Sequence, residues 1–160
     1  MSLRSVLAAA LALPLVGLAA PASAETVVRF GPDAQKKFEK DYGVREQAYL
    51  ETLMKRRVER ALAAQGLTGS VEVTILDLKP NRPTLQQMSD KPGLSFQSFG
   101  IGGAEMEGVL RDGAGAERAR LTYDWYETDI VDAQFETTWG DAATAFDRFA
   151  RKLVEQAAGG

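Results

Sequence analysis

Between Val44 and Gln65 the apolar residues fall at Ala48, Leu50, Leu53, Met54, Val58, Ala61 and Leu62. Gaps of three and four place most of them on one helical face, and Glu46, Glu51, Lys55, Arg56, Glu59 and Arg60 take the other. Gly66 supplies the stop. A second stripe, Ala142, Ala145, Phe146, Phe149, Ala150, Leu153 and Val154, predicts a C-terminal helix, with Thr138 and Asp141 spaced like a capping box. Period-two runs predict strands. Thr26–Phe30 is closed by Gly31-Pro32, and Ser70–Leu78 alternates Val71, Val73 and Ile75 against Glu72, Thr74 and Leu76. Leu76 and Leu78 suggest that the second face of that strand is partly covered.

Ala104–Arg111 and Ala116–Glu127 flank Asp112-Gly113, a strong hairpin signal because both residues tolerate positive φ. Asp33–Lys40 offers a short helical turn. Pro80, Pro83, Pro92 and Gly93 forbid a regular element throughout residues 79–93, and Leu94–Phe99 suits a short strand. The predicted order is β-α-β-(long loop)-β-β-α. It defines an α+β fold, with a mainly antiparallel sheet and two amphipathic helices on one face.

The first 24 residues belong to a different pattern. Arg4 precedes an apolar run from Val6 to Ala20, Pro21 ends it, and Ala22-Ser23-Ala24 fits signal peptidase. The run is too short and too interrupted, by Pro14 and Gly17, for a membrane span. Cleavage after Ala24 is expected to release a mature form with no integral membrane segment, destined for the periplasm of a Gram-negative cell. Residues 25–156 then form one domain, with 157–160 as a frayed tail. Removing the leader takes only Arg4 from the 19 basic residues, leaving 18 against 22 acidic ones, a side-chain balance of −4.

Composition narrows the chemistry. The chain of 160 residues has no His and no Cys, so disulfides, thiol nucleophiles, imidazole bases and the usual zinc sites are excluded. Net negative charge argues against nucleic acid as a partner. No catalytic residue, cofactor or metal set is assigned.

Two stretches remain as candidate binding surfaces. The 79–103 loop carries Arg82, Met88, Phe96 and Phe99, more apolar material than an idle linker needs, and it serves either as a contact surface or as a cover over the sheet. The stretch 123–136 interleaves Asp124, Glu127, Asp129 and Asp132 with Trp125 and Tyr126. Carboxylates beside aromatics suit a cation, a glycan or acid–base work, whereas the plainer reading has the aromatics facing the core and the acids facing water. The acid spacing does not match an EF-hand loop. Gly100-Ile101-Gly102-Gly103 lacks the Lys of a Walker motif and is read as a joint. Lys55, Arg56, Arg57 and Arg60 read as a solvated helix face. Arg118 and Arg120 are expected to share a face and to pair with Glu105 or Glu107. Either 26–30 or 104–111, left as a free edge, would permit a homodimer.

Asp41-Tyr42-Gly43-Val44-Arg45-Glu46 and Trp139-Gly140-Asp141 with Ala145-Phe146 and Leu153 resemble stretches of uncharacterised exported proteobacterial α+β proteins, many of them lipoproteins. Their layout is similar to envelope-accessory domains such as the amino-terminal domain of TolB. The chain departs from the lipoprotein members in lacking the anchoring Cys. The resemblance implies a non-catalytic envelope role and carries over no active-site residue; an envelope protein is the expected partner.

Overall fold

The computed structural model describes residues 25–159, so the expected leader lies outside the described residues. The elements run β1 (Glu25–Phe30), α1 (Pro32–Lys37), a π-helical turn (Phe38–Tyr42), α2 (Val44–Ala64), β2 (Ser70–Lys79), α3 (Leu85–Asp90), β3 (Gly103–Arg111), β4 (Glu117–Tyr126), α4 (Ile130–Ala133) and α5 (Gly140–Gly159). The four strands make one sheet in the order β1-β2-β3-β4. The β1–β2 pair is parallel and the other two are antiparallel. The expected α+β architecture is therefore the observed one.

Both long helices cover the same face of the sheet. From α2, Leu50, Met54, Val58 and Leu62 are buried; from α5, Phe146, Phe149, Leu153 and Val154. They meet Val28, Val71, Val73, Ile75, Met106 and Leu110 in one core. Each large side chain so buried contributes about 1.5–3 kcal/mol. Gly108 makes the closest approach possible: a Cβ there would lie 2.7 Å from Phe149 Cζ and 3.0 Å from the Glu72 carbonyl oxygen. The i,i+4 pair Glu51–Lys55 forms at 2.7 Å, and Arg57 of α2 reaches Asp147 of α5 at 3.2 Å.

Several local expectations are revised. Leu78 is fully buried on the helix-covered face, because a bulge between Ile75 and Asp77 shifts the phase of β2 by one residue. A second bulge beside Glu117 separates Arg118 from Arg120. Arg118 lies by Leu67 and Ala157 at the helix-covered side, whereas Arg120 stands on the open face and pairs with Glu117 at 2.7 Å rather than with Glu105 or Glu107.

β3 lies between β2 and β4, so residues 104–111 are not an edge; the free edges belong to β1 and β4. Residues 85–90 are helical despite the flanking prolines, and 94–99 form no strand. Finally, α5 continues through Gly159 with Ala157 buried, so the expected frayed tail is helical to that point.

Candidate functional site

Both β2 and β4 end at one end of the sheet, and β3 begins there. The long connections 80–102 and 127–139 cover that end, beside the starts of α2 and α5. Their organisation rests on Asn81, Arg82 and Asp141. Asn81 is 1 % exposed and Asp141 3 %. The Asn81 amide nitrogen donates to the Asp141 carboxylate and to the Gly100 carbonyl, and its Oδ1 accepts from the Asp141 backbone N–H at 2.9 Å. Asp141 accepts a further bond from the Gly102 N–H at 2.9 Å. The Asn81 backbone joins Thr138 and Gly100 at 2.8 Å each. Asp141 therefore does not serve the expected capping box with Thr138. Its carboxylate is spent on β2–β3 loop groups, and Asn81 holds the first turn of α5 from 60 residues away.

Arg82 does the same for the outer layer. Its guanidinium donates to the carbonyls of Phe96, Gln134 and Glu136, with Nε to Glu136 at 2.7 Å and Nη1 to Phe96 at 2.8 Å. One planar fork thus clamps both connections side by side. Met88 sits half-buried on α3. That helix starts at a true capping box, in which the Thr84 hydroxyl accepts from the Gln87 N–H and the Gln87 side chain accepts from the Thr84 N–H.

The clamped end is apolar. Eight large hydrophobic side chains stand exposed among the described residues: Val44, Tyr49, Leu85, Phe96, Phe99, Ile130, Val131 and Phe135. All eight lie on the two connections or on the first turns of α2. Phe135 is 81 % exposed and Phe96 64 %. Two open grooves cross this end. One of about 320 Å³ runs between Tyr42, Arg82, Leu94 and Phe99, and one of about 350 Å³ between Tyr49, Leu85 and Trp139. Trp139 fixes the wall of the second by donating its indole N–H to Glu46 at 2.6 Å.

The 123–136 stretch is divided rather than gathered. Tyr123 and Trp125 face the helices, with Lys152 5.7 Å and Arg148 4.2 Å from the respective ring centres. Asp124 is exposed on the open face, opposite Glu105 of β3. Tyr126 donates to Asp77 at 3.4 Å, and burial first, then the Asp77 charge, pushes its phenol pKa upward. Glu127 accepts from the amides of Asp129 and Thr128, which lowers its carboxyl pKa. Asp129 caps α4 through the Val131 N–H at 2.8 Å, and Asp132 is exposed on that helix. The four acids do not converge, and among the described residues no group of three or more acids is placed to hold a metal ion.

Of the residues singled out in the sequence, Arg82, Phe96 and Phe99 lie at this end, Phe135 comes with the 123–136 stretch, and Asp141 reads only as a cap; Asn81 is not singled out. Thr84-x-x-Gln87 after Pro83 marks the start of α3 and is the signal missed there.

No family model matches the chain, and no curated protein matches it. Among solved structures, a minor lipoprotein from Acinetobacter baumannii is similar, with 10 % identity, 84 % of this chain and 93 % of that chain covered, and a TM-score of 0.37. A candidate lipoprotein from Caulobacter crescentus is similar with 20 % identity, 86 % and 89 % coverage, and a TM-score of 0.38.

Proposed function

We propose that this chain is a non-catalytic binding module of the cell envelope, delivered to the periplasm by its 1–24 leader, and that it takes a protein partner on its loop-built end. The observation that carries this reading is the segregation of exposed apolar residues. Monomeric proteins mostly scatter such residues, and their gathering on one end supports reading that end as a contact surface. Here all eight gather at the end clamped by Arg82 and Asn81. The clamps also lower the ordering cost of binding, since the loops are already fixed.

Charge narrows the partner's chemistry. From Leu121 to Asp147 there is no Lys or Arg, and Glu127, Asp129, Asp132 and Glu136 lie on the same connection or its flank as Ile130, Val131 and Phe135. An apolar segment flanked by basic residues complements those acids. Absence of catalysis is supported by how the acids are used: Glu127, Asp129 and Asp141 bind backbone amides. The layout's resemblance to envelope-accessory domains points the same way. No helix among the described residues is long and apolar enough to cross a membrane.

Photo-crosslinking tests the surface. A probe at Phe96 or Phe135 is expected to trap a discrete envelope protein, and the adduct is expected to disappear when the other two of Phe96, Phe99 and Phe135 are changed to Ser with the melting curve unmoved. A probe at Gly113, at the far hairpin turn, giving the same adducts as Phe96 would rule out this end as the contact.

A further inference from the structure

β4 contacts β3 along one edge and α5 with one face, and its other edge meets no strand among the described residues. We propose that this edge pairs antiparallel with β4 of a second copy, about a two-fold axis through Thr122, joining two four-stranded sheets into one of eight.

Backbone polarity allows it. The Glu127 N–H donates to the Gly102 carbonyl at 3.0 Å, which extends the β3–β4 register by one pair. By the alternation of antiparallel ladders, odd-numbered residues of β4 bond to β3. The N–H and C=O groups of Arg120, Thr122 and Asp124 therefore point out of the free edge. A two-fold axis at Thr122 sets those outward residues against outward residues.

Side chains select that register from its neighbours. With Thr122 at the centre, Arg120 faces Asp124 of the partner subunit, twice per dimer, on the open side of the sheet. On the helix side Leu121 faces Tyr123 of the partner subunit, so two half-buried apolar residues cover one another. Centring on Arg120 or Asp124 would oppose identical charges, which is unfavourable. Centring on Tyr123 leaves both charges unmatched. Centring on Leu121 would need Arg118 in the ladder, and the bulge has removed it.

Existing contacts leave the edge available. Arg120 is held by Glu117 of its own strand in an exposed pair at 2.7 Å, an interaction of little worth that a facing carboxylate can share. Arg148 and Lys152 sit over the Trp125 and Tyr123 rings on the helix side, away from Arg120 and Asp124. Such charges, and the bulge itself, are also devices by which edges resist pairing, so the competing outcome is a protected monomer.

Sedimentation equilibrium of the purified protein decides between them. A reversible dimer is expected, and a single monomer mass up to roughly 0.2 mM would overturn the proposal. Arg120→Asp and Asp124→Arg, each alone, are expected to weaken the dimer by roughly tenfold or more, and the two together to restore it. A double variant no better than the singles would overturn the register, and rescue by it shows that the singles did not fail through misfolding. Because the chain has no Cys, Thr122→Cys places two sulfurs on Cα atoms about 5.5 Å apart, within disulfide reach. Arg118→Cys places them roughly 27 Å apart. Oxidative cross-linking at 122 and not at 118 is the expected result; equal yields, or none at 122, overturn it.

Discussion

Asn81 shows how much one polar side chain organises. It is buried, every polar group of its side chain is bonded, and its partners come from the β2–β3 loop and from the first turn of α5. Asn81→Ala strands the Asp141 N–H and takes one of the two donors from a buried carboxylate. The expected cost is about 3 kcal/mol, because unsatisfied buried groups bear their full desolvation penalty. Chemical denaturation measures it: a lower midpoint with an unchanged slope is expected. This link was not legible beforehand. An Asn between two prolines reads as turn chemistry, and its partner lies 60 positions away. The individual acids of 124–132 fared better: Trp125 faces the helices and Asp124 faces water, as the plainer reading held.

Among the elements, the strands and both long helices were legible because their periodicity is imposed by a buried face, and packing enforces it. The α3 helix was hidden by reading its prolines as interruptions. Pro83 precedes the cap residue Thr84, and Pro92 follows Lys91, where α3 has ended, so the two prolines bracket the helix. Thr84→Ala is expected to cost about 1 kcal/mol of local stability. Hydrogen exchange checks it: amides of 85–90 are expected to exchange faster while those of β2 keep their protection. The strand expected at 94–99 fails for the opposite reason. Ser95 and Ser98 bond to the local backbone, and Arg82 takes the Phe96 carbonyl, so no ladder partner is needed.

At the scale of the whole molecule, an aromatic chain ties the first strand to the residue that precedes the last helix. Phe30, Phe38, Tyr42 and Trp139 contact edge to face at 5.0, 5.9 and 5.4 Å. Tyr42 is the only one of the four that ionises, and its hydroxyl donates to the Leu78 carbonyl at 3.1 Å. Burial first, then Asp77 and Asp41, pushes its pKa from 10.0 to about 12. A raised phenol pKa means that the folded state resists ionisation. Its contribution is complete below pH 10 and is lost as pH climbs toward 12. Melting temperatures are expected to fall across that window, and less steeply in Tyr42→Phe; an equal fall in both proteins would place the alkaline weakness elsewhere. Sheet order and the gathering of loops at one end were not legible, since both depend on which strands become neighbours.

The Asn81–Asp141 link also sets a schedule. A polypeptide leaves the ribosome amino end first, so residues 80–102 emerge well before the helix that locks them. Until α5 (Gly140–Gly159) arrives, the greasy end has the Arg82 fork but not the Asn81–Asp141 lock. Chains that stop short of α5 therefore lack that lock, and a nonsense lesion at Gly140 removes it without touching a single one of the eight exposed hydrophobic residues.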